Sequence, residues 1–283
     1  MGKHLRLGKS GSQRDLQSLI NDKRLGASNV TSRFAHFSLG FRQGEKVDAE
    51  LCELAVSLGV SLSIHPVDIN LSMELVVSEL RELKDNLSGF PFSYLEEDLG
   101  LWRYDKLFLG AHQTNQALSR ESLTRVLRNL PVVQEILGVP VVVENPPVYS
   151  NPGSEDFWWY YSELCSASGC KMAFDIGHYI GFCKVRGMAA TCPAPEHAIW
   201  DSITTIHLSG MKTWSWGGVP VWLDQHSDIF DATILEVLKQ CVLSSGRLQN
   251  VLLEMEGATE EVQDENIRLV GGVLSKAGLG YDG

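Results

Sequence analysis

Most of the eight histidines in this 283-residue chain stand in one kind of place. His65, His112 and His207 each end or closely follow an apolar run, and so do the acids Glu144, Asp175 and Glu254. Two local pairs add geometry. Asp175-Ile-Gly-His178 sets an imidazole three residues beyond an acid, with Gly177 letting the chain turn back. Asp224-Gln-His226 is an i, i+2 pair, so in an extended segment both side chains leave from one face. Taken singly, each residue has an ordinary explanation: a hydrogen-bonded structural histidine, a helix cap, a salt-bridge partner. Nine of them aimed at one cavity would be a costly mass of unpaired polar groups and like charges. Bound cations remove that cost by neutralising the carboxylates and taking the imidazole lone pairs. Imidazole and carboxylate donors without cysteine suit catalytic iron, manganese or zinc. Nine donors exceed what one ion takes, so two or three metals are expected, with Asp175, His178, Asp224 and His226 the first candidates for catalytic groups.

Such a convergence needs elements whose ends meet. Near-continuous apolar runs mark strands buried on both faces, as in a parallel sheet. They occur at Arg33–Leu39, Ser61–His65, Lys106–Gly110, Val139–Glu144, Lys171–Asp175, Thr204–Leu208 and Asn250–Glu254. Helical periodicity lies between them. Leu123, Val126, Leu127 and Leu130 share one face, and Ile234, Leu238, Cys241 and Val242 share another before Ser244-Ser-Gly246. Alternating β and α predicts a parallel α/β fold. With a weak eighth strand in the first 30 residues, the expectation is a single (β/α)8 TIM-type barrel, the doubly wound sheet being the alternative. Residues 1–30 read as a basic arm or that weak strand, and 31–283 as the barrel. The C-terminal strand ends of a barrel face its active site, which is where the His and acidic residues fall. The segment 208–228, with Trp214, Trp216, Trp222, two glycines and a proline, reads as an irregular aromatic loop over the mouth. Trp214, Trp216 and Asn145 are the candidate substrate contacts.

The charge is uneven. Residues 1–33 carry a net +5, and the remainder therefore −16 of the overall −11. A body so acidic repels a polyphosphate, so nucleic acid is not an expected partner. No apolar run reaches the roughly 18–20 residues of a membrane span. Six scattered cysteines without a CxxC read as reduced thiols, and a cytoplasmic protein is expected. Neither a GxGxxG, a P-loop nor a serine nucleophile elbow occurs.

The order His65, His112, Glu144, Asp175-x-x-His178, His207, Asp224-x-His226, Glu254 resembles the ligand order of the xylose-isomerase-like barrel superfamily, including the trinuclear zinc enzyme endonuclease IV. The segments Val133–Gly138, Val141-Val-Val-Glu-Asn-Pro146, Gly169–Asp175, Ile206-His-Leu-Ser-Gly210, Val221–His226 and Leu252–Met255 resemble a different branch, the multinuclear non-haem iron oxidative enzymes. That resemblance implies two or three irons, O2 as co-substrate, and a cysteine of a ribosomally made precursor peptide as substrate. Hydrogen would be removed from the cysteine β-carbon, leading to a heterocycle or to excision of that carbon in peptide natural-product biosynthesis. It also implies a partner protein that captures the peptide leader. Many relatives carry a carboxamide where His178 stands, which places this chain with those able to hold a third metal. Many carry a histidine near Asp98, so the second ligand of the first ion is either His112 or Asp98. The alternatives are a zinc-dependent phosphodiesterase of the endonuclease IV type, a divalent-metal sugar isomerase and a non-enzymatic metal-binding scaffold. The acidic body disfavours the first, the surplus of ligands the second, and an open, aromatic-lidded site the third.

Overall fold

The computed structural model describes residues 4–26, 33–41, 45–104, 107–110 and 114–282. Eight parallel strands close on themselves: β1 (His4–Gly11), β2 (His36–Gly40), β3 (Ser61–His65), β4 (Leu95–Asp98), β5 (Val141–Glu144), β6 (Lys171–Asp175), β7 (Ile203–Leu208) and β8 (Asn250–Leu253). Each pairs with the next, and β1 pairs in parallel with both β2 and β8, which closes the barrel. A short strand, Gly280–Asp282, adds to the start of β1. Helices follow the strands in turn: α1 (Gln13–Arg24), α2 (Ala49–Ser57), α3 (Val77–Asn86), α4 (Arg120–Leu137), α5 (Phe157–Ser168), α6 (Ile176–Val185), α7 (Ala232–Ser244) and α8 (Glu260–Lys276). Among the described residues no helix is long and apolar enough to cross a membrane.

Local chemistry accounts for the alternation. In α4, Leu123, Val126, Leu130, Val133 and Leu137 are buried against the barrel, a capping box at Ser119 starts the helix and left-handed Gly138 ends it. In α7, Asp231 caps the N-terminus and Ile234, Leu238, Cys241 and Val242 are buried. Of the six cysteines, all free, five are buried and Cys192 is half-buried.

The structure corrects two sequence expectations. The run at 106–110 is not a barrel strand. Leu107–Phe108 pairs antiparallel with Arg103–Tyr104 in a small exposed hairpin between β4 and α4. The fourth barrel strand is instead the acidic Leu95-Glu-Glu-Asp98, each residue of which is buried. Residues 4–11 form an integral strand of the barrel, at the place where the sequence offered either a basic arm or a weak first strand. Segment 208–228 is likewise not irregular. Gly210–Trp216 and Val219–Gln225 form a seven-pair antiparallel hairpin turned by Gly217 and Gly218, both at positive φ.

Candidate metal centre

Strand alternation directs one set of side chains into the barrel and the other toward the helices. In β3, Leu62 and Ile64 join the apolar core, while Ser63 and His65 hydrogen-bond to Glu96 of β4. His65, Asp98, Glu144, Asp175, His207 and Glu254 come from the C-terminal ends of six strands and are all buried. Two donor groups form within this set. His65, Asp98 and Glu144 offer ligand atoms within 4.8 Å of one another, and so do Glu144, Asp175, His207 and Glu254. Glu144 belongs to both, as a bridging carboxylate would. A third group lies alongside: Asp224 Oδ2 is 3.5 Å from His178 Nε2 and 2.9 Å from His226 Nε2. His226 Nε2 is also 3.1 Å from Glu254 Oε2, which ties this group to the second. His112 lies outside the described residues; Asp98 Oδ2 is 3.3 Å from His65 Nε2.

The two sequence pairs have clear local causes. Asp175 is at once the last residue of β6 and the N-cap of α6, accepting the His178 backbone N–H, so the three-residue spacing is that of a helix cap to its first turn. Gly177 is required because a Cβ there would lie 2.2 Å from Ser209 Oγ and 2.7 Å from the Ser209 carbonyl oxygen. Ser209 Oγ in turn donates to Asp175 Oδ1 at 2.9 Å. Asp224 lies in the second strand of the long hairpin and His226 just beyond it.

Each imidazole turns one nitrogen inward and has the other held. His178 Nδ1 is 2.8 Å from the Asn145 carbonyl oxygen, leaving Nε2 toward Asp224. His226 Nδ1 meets Glu256 Oε2 at 2.8 Å, and Glu256 Oε1 accepts from Ser10 Oγ. Glu96 serves His65 and His207. Held outer nitrogens fix the ring tautomer and orientation, as at metal-ligating histidines generally. Asn145 is tied to Asp175: its amide donates to the Asp175 carbonyl and accepts the Asp175 N–H, at 2.8 and 3.0 Å. Trp214 and Trp216 pair with Val221 and Val219, whereas Asp224 pairs with Met211. Cross-strand partners share a face and alternate along the strand, so both tryptophans lie on the face opposite Asp224, 54% and 72% exposed. Trp222 shares the face of Asp224.

The electrostatics carry the signature of a cation site. Among the described residues Glu144 Oε1 and Oε2, Asp175 Oδ2 and Asp224 Oδ1 are buried and accept no well-formed hydrogen bond. Burial, with the charges of Glu254, Glu144 and Asp224 outweighing His178, raises the Asp175 carboxyl to about 7. Burial likewise raises Glu144. Burial lowers the basicity of His65, but its hydrogen bond with Asp98 and the charges of Glu144, Asp98 and Glu96 prevail and raise it to about 10. Acids with unused buried oxygens, beside imidazoles that hold protons only because carboxylates face them, are what divalent cations would replace. The all-oxygen and nitrogen donor set fits such ions.

Sequence reasoning missed Glu96, Glu97 and Glu256. Glu97 points away from the barrel axis and accepts Trp102 Nε1 and the Asp68 N–H, at 2.6 and 3.0 Å. The available signal was the acidic triplet Glu96-Glu97-Asp98 itself, too polar to read as a buried strand.

The closed parallel barrel thus carries this cluster at its C-terminal mouth. Two solved structures share the fold. A xylose isomerase domain protein of Salmonella typhimurium LT2 has TM-score 0.62 at 14% identity, over 97% of this chain and 99% of that one. The IolI protein with a bound zinc atom has TM-score 0.63 at 12% identity, over 96% and 99%. Residues 40–266 match the family described as RiPP precursor modification enzyme MbnB/TglH/ChrH, and the chain belongs to that family, whose members modify ribosomally made peptide precursors. Similar curated proteins carry only the name UPF0276. One from Vibrio vulnificus (strain YJ016) is 24% identical over 207 residues, 69% of this chain and 67% of that protein. Another from Caulobacter sp. (strain K31) is 29% identical over 179 residues, 59% and 60%.

Proposed function

We propose that this protein is a multinuclear iron-dependent oxygenase that uses O2 to modify a cysteine of a peptide precursor at its β-carbon. The observation that carries the proposal is the set of three linked donor groups, joined through Glu144 and through the contact of His226 with Glu254, in a chain of the peptide-modifying family. His65, Asp98 and Glu144 would hold one ion. Glu144, Asp175, His207 and Glu254 would hold a second, and His178, Asp224 and His226 a third. When bound, iron supplies redox change and open positions at which a thiolate and O2 are brought together.

The chain's own residues do the rest. Glu144 sets the spacing of the first two groups. Asn145 and Ser209 lock Asp175, and Asn145 also locks His178, so these donors are in place before substrate arrives. Burial of six strand-end donors keeps bulk water from the reacting atoms. A leader-binding partner protein delivering the peptide, and a cytoplasmic setting that keeps substrate thiols reduced, complete the reading.

Metal analysis of anaerobically purified protein, with O2 uptake measured against a cysteine-containing peptide, tests it. Two or three irons per chain and thiol-dependent O2 consumption support the reading. Stoichiometric zinc without O2 uptake refutes it and favours metal-assisted hydrolysis.

A further inference from the structure

Glu96 touches two of the ring ligands yet belongs to none of the three donor groups. It is fully buried on β4. Its Oε1 lies 3.3 Å from His207 Nε2, and its backbone carbonyl oxygen lies 3.2 Å from His65 Nδ1. The opposite nitrogens of these rings face the cluster. His207 Nδ1 is 2.9 Å from Glu254 Oε1 and 3.3 Å from Glu144 Oε1. His65 Nε2 is 3.3 Å from Asp98 Oδ2 and 3.5 Å from Glu144 Oε2.

Carboxylate and carbonyl oxygens only accept, and a neutral imidazole has one N–H. Once a cation takes the inner lone pair, the remaining proton must sit where Glu96 accepts it. That is Nε2 in His207 and Nδ1 in His65. We propose that Glu96 is the positioning residue of the metal centre: it imposes opposite tautomers on two ligands, so that His207 binds through Nδ1 and His65 through Nε2.

The rest of its surroundings keep Glu96 in this role. Oε2 accepts from Ser38 Oγ at 2.6 Å and Ser63 Oγ at 3.2 Å, which hold the carboxylate back from the cluster. Ser63 spends its one proton on Glu96, so at 3.1 Å it accepts from His36 Nε2. His36 Nδ1 lies 2.7 Å from Ser61 Oγ. His36 is thus a strut under Glu96, and burial lowers its pKa to about 4. A carboxylate behind an imidazole also makes the ring a stronger ligand, and removing such a partner typically costs about 10–100-fold in metal affinity.

The inference rests on the metal-centre reading, and zinc, a diamagnetic stand-in, separates the two. Long-range 1H–15N correlation of the zinc-loaded full chain labelled at histidine should show His207 protonated at Nε2 and bound at Nδ1, and His65 the reverse. Zinc competition with a chelating dye should show Glu96→Gln weakening affinity by about 10–100-fold. If the wild type binds no zinc, the metal reading itself fails. If it binds zinc with His207 coordinated through Nε2, or if Glu96→Gln binds as tightly as wild type, Glu96 is only a stitch between strands and the inference falls. Should the variant not fold, the wild-type tautomers decide alone.

Discussion

Stripping the metals should make the protein's stability fall with rising pH, and His65 lets the size be worked out. In the stripped chain its imidazole is raised from 6.5 to about 10 by Asp98, Glu144 and Glu96, against the opposing effect of burial. A group whose native pKa lies above its unfolded value stabilises fully below the unfolded pKa and loses that contribution as pH rises through the native one. Stripped protein should therefore weaken between about pH 6.5 and 10. At about 1.4 kcal/mol per pH unit the full span bounds the loss from His65 at about 5 kcal/mol, and the interval from pH 7 to 9 at about 3 kcal/mol. For a chain of this size that corresponds to a fall of roughly 5–10 °C in melting temperature. His207 and His178, both raised well above the usual histidine value against the effect of burial, act in the same direction. Loading removes this slope, because the cation displaces the His65 proton and the native and unfolded states then differ by no proton at that ring. The cation's affinity should then rise about tenfold per pH unit from that group alone, which cancels the loss seen in the stripped chain. Calorimetric melts of chelator-stripped and zinc-loaded protein at half-unit steps from pH 6.5 to 9 measure both slopes. A stripped protein whose melting temperature is flat or rising over pH 7–9 would refute the assignment of His65 to a carboxylate-faced cation site.

His226→Ala should abolish turnover and lower bound metal by about one ion per chain, with the melting temperature of the stripped protein within a few degrees of wild type; metal analysis and calorimetry read both. Asp175→Ala should do the same to metal content and in addition cost about 1 kcal/mol through the lost α6 cap, measured by urea unfolding. In Gly177→Ala the new Cβ would meet Ser209 Oγ at 2.2 Å, and overpacking of this kind should destabilise the fold by about 1–3 kcal/mol and displace Asp175 and His178 from the cluster. Trp216→Ser, at a side chain 72% exposed on the hairpin face opposite Asp224, should change stability by less than about 0.5 kcal/mol and leave metal content unchanged.

Most of the centre was legible because a parallel barrel writes its site at strand ends. Asp175 and His207 each follow buried apolar residues, and the chemistry-bearing type at the end of such a run stands out. β4 was illegible for the opposite reason. Glu96 and Asp98 face the barrel interior while Glu97 is held outside by Trp102 and Asp68, so both faces of the strand are acidic and no hydrophobic period survives. Leu107 and Phe108 have the composition of a core strand but are exposed, since a two-residue hairpin in a βα connection obeys no burial rule visible in its own residues. Trp214 and Trp216 lie near Asp224 in sequence, and only the hairpin register turns them away from it.

The sequence by itself determined the (β/α)8 class and the residue types available to bind metal, because strand period, helix period and strand-end chemistry are local properties of the chain. Which acids share an ion, which nitrogen each imidazole presents and which carboxylate stands behind it are relations between strands far apart in the chain. Glu96 meets His207 across 111 positions, and such a contact exists only once closure of the barrel brings β4 and β7 into one polar interior.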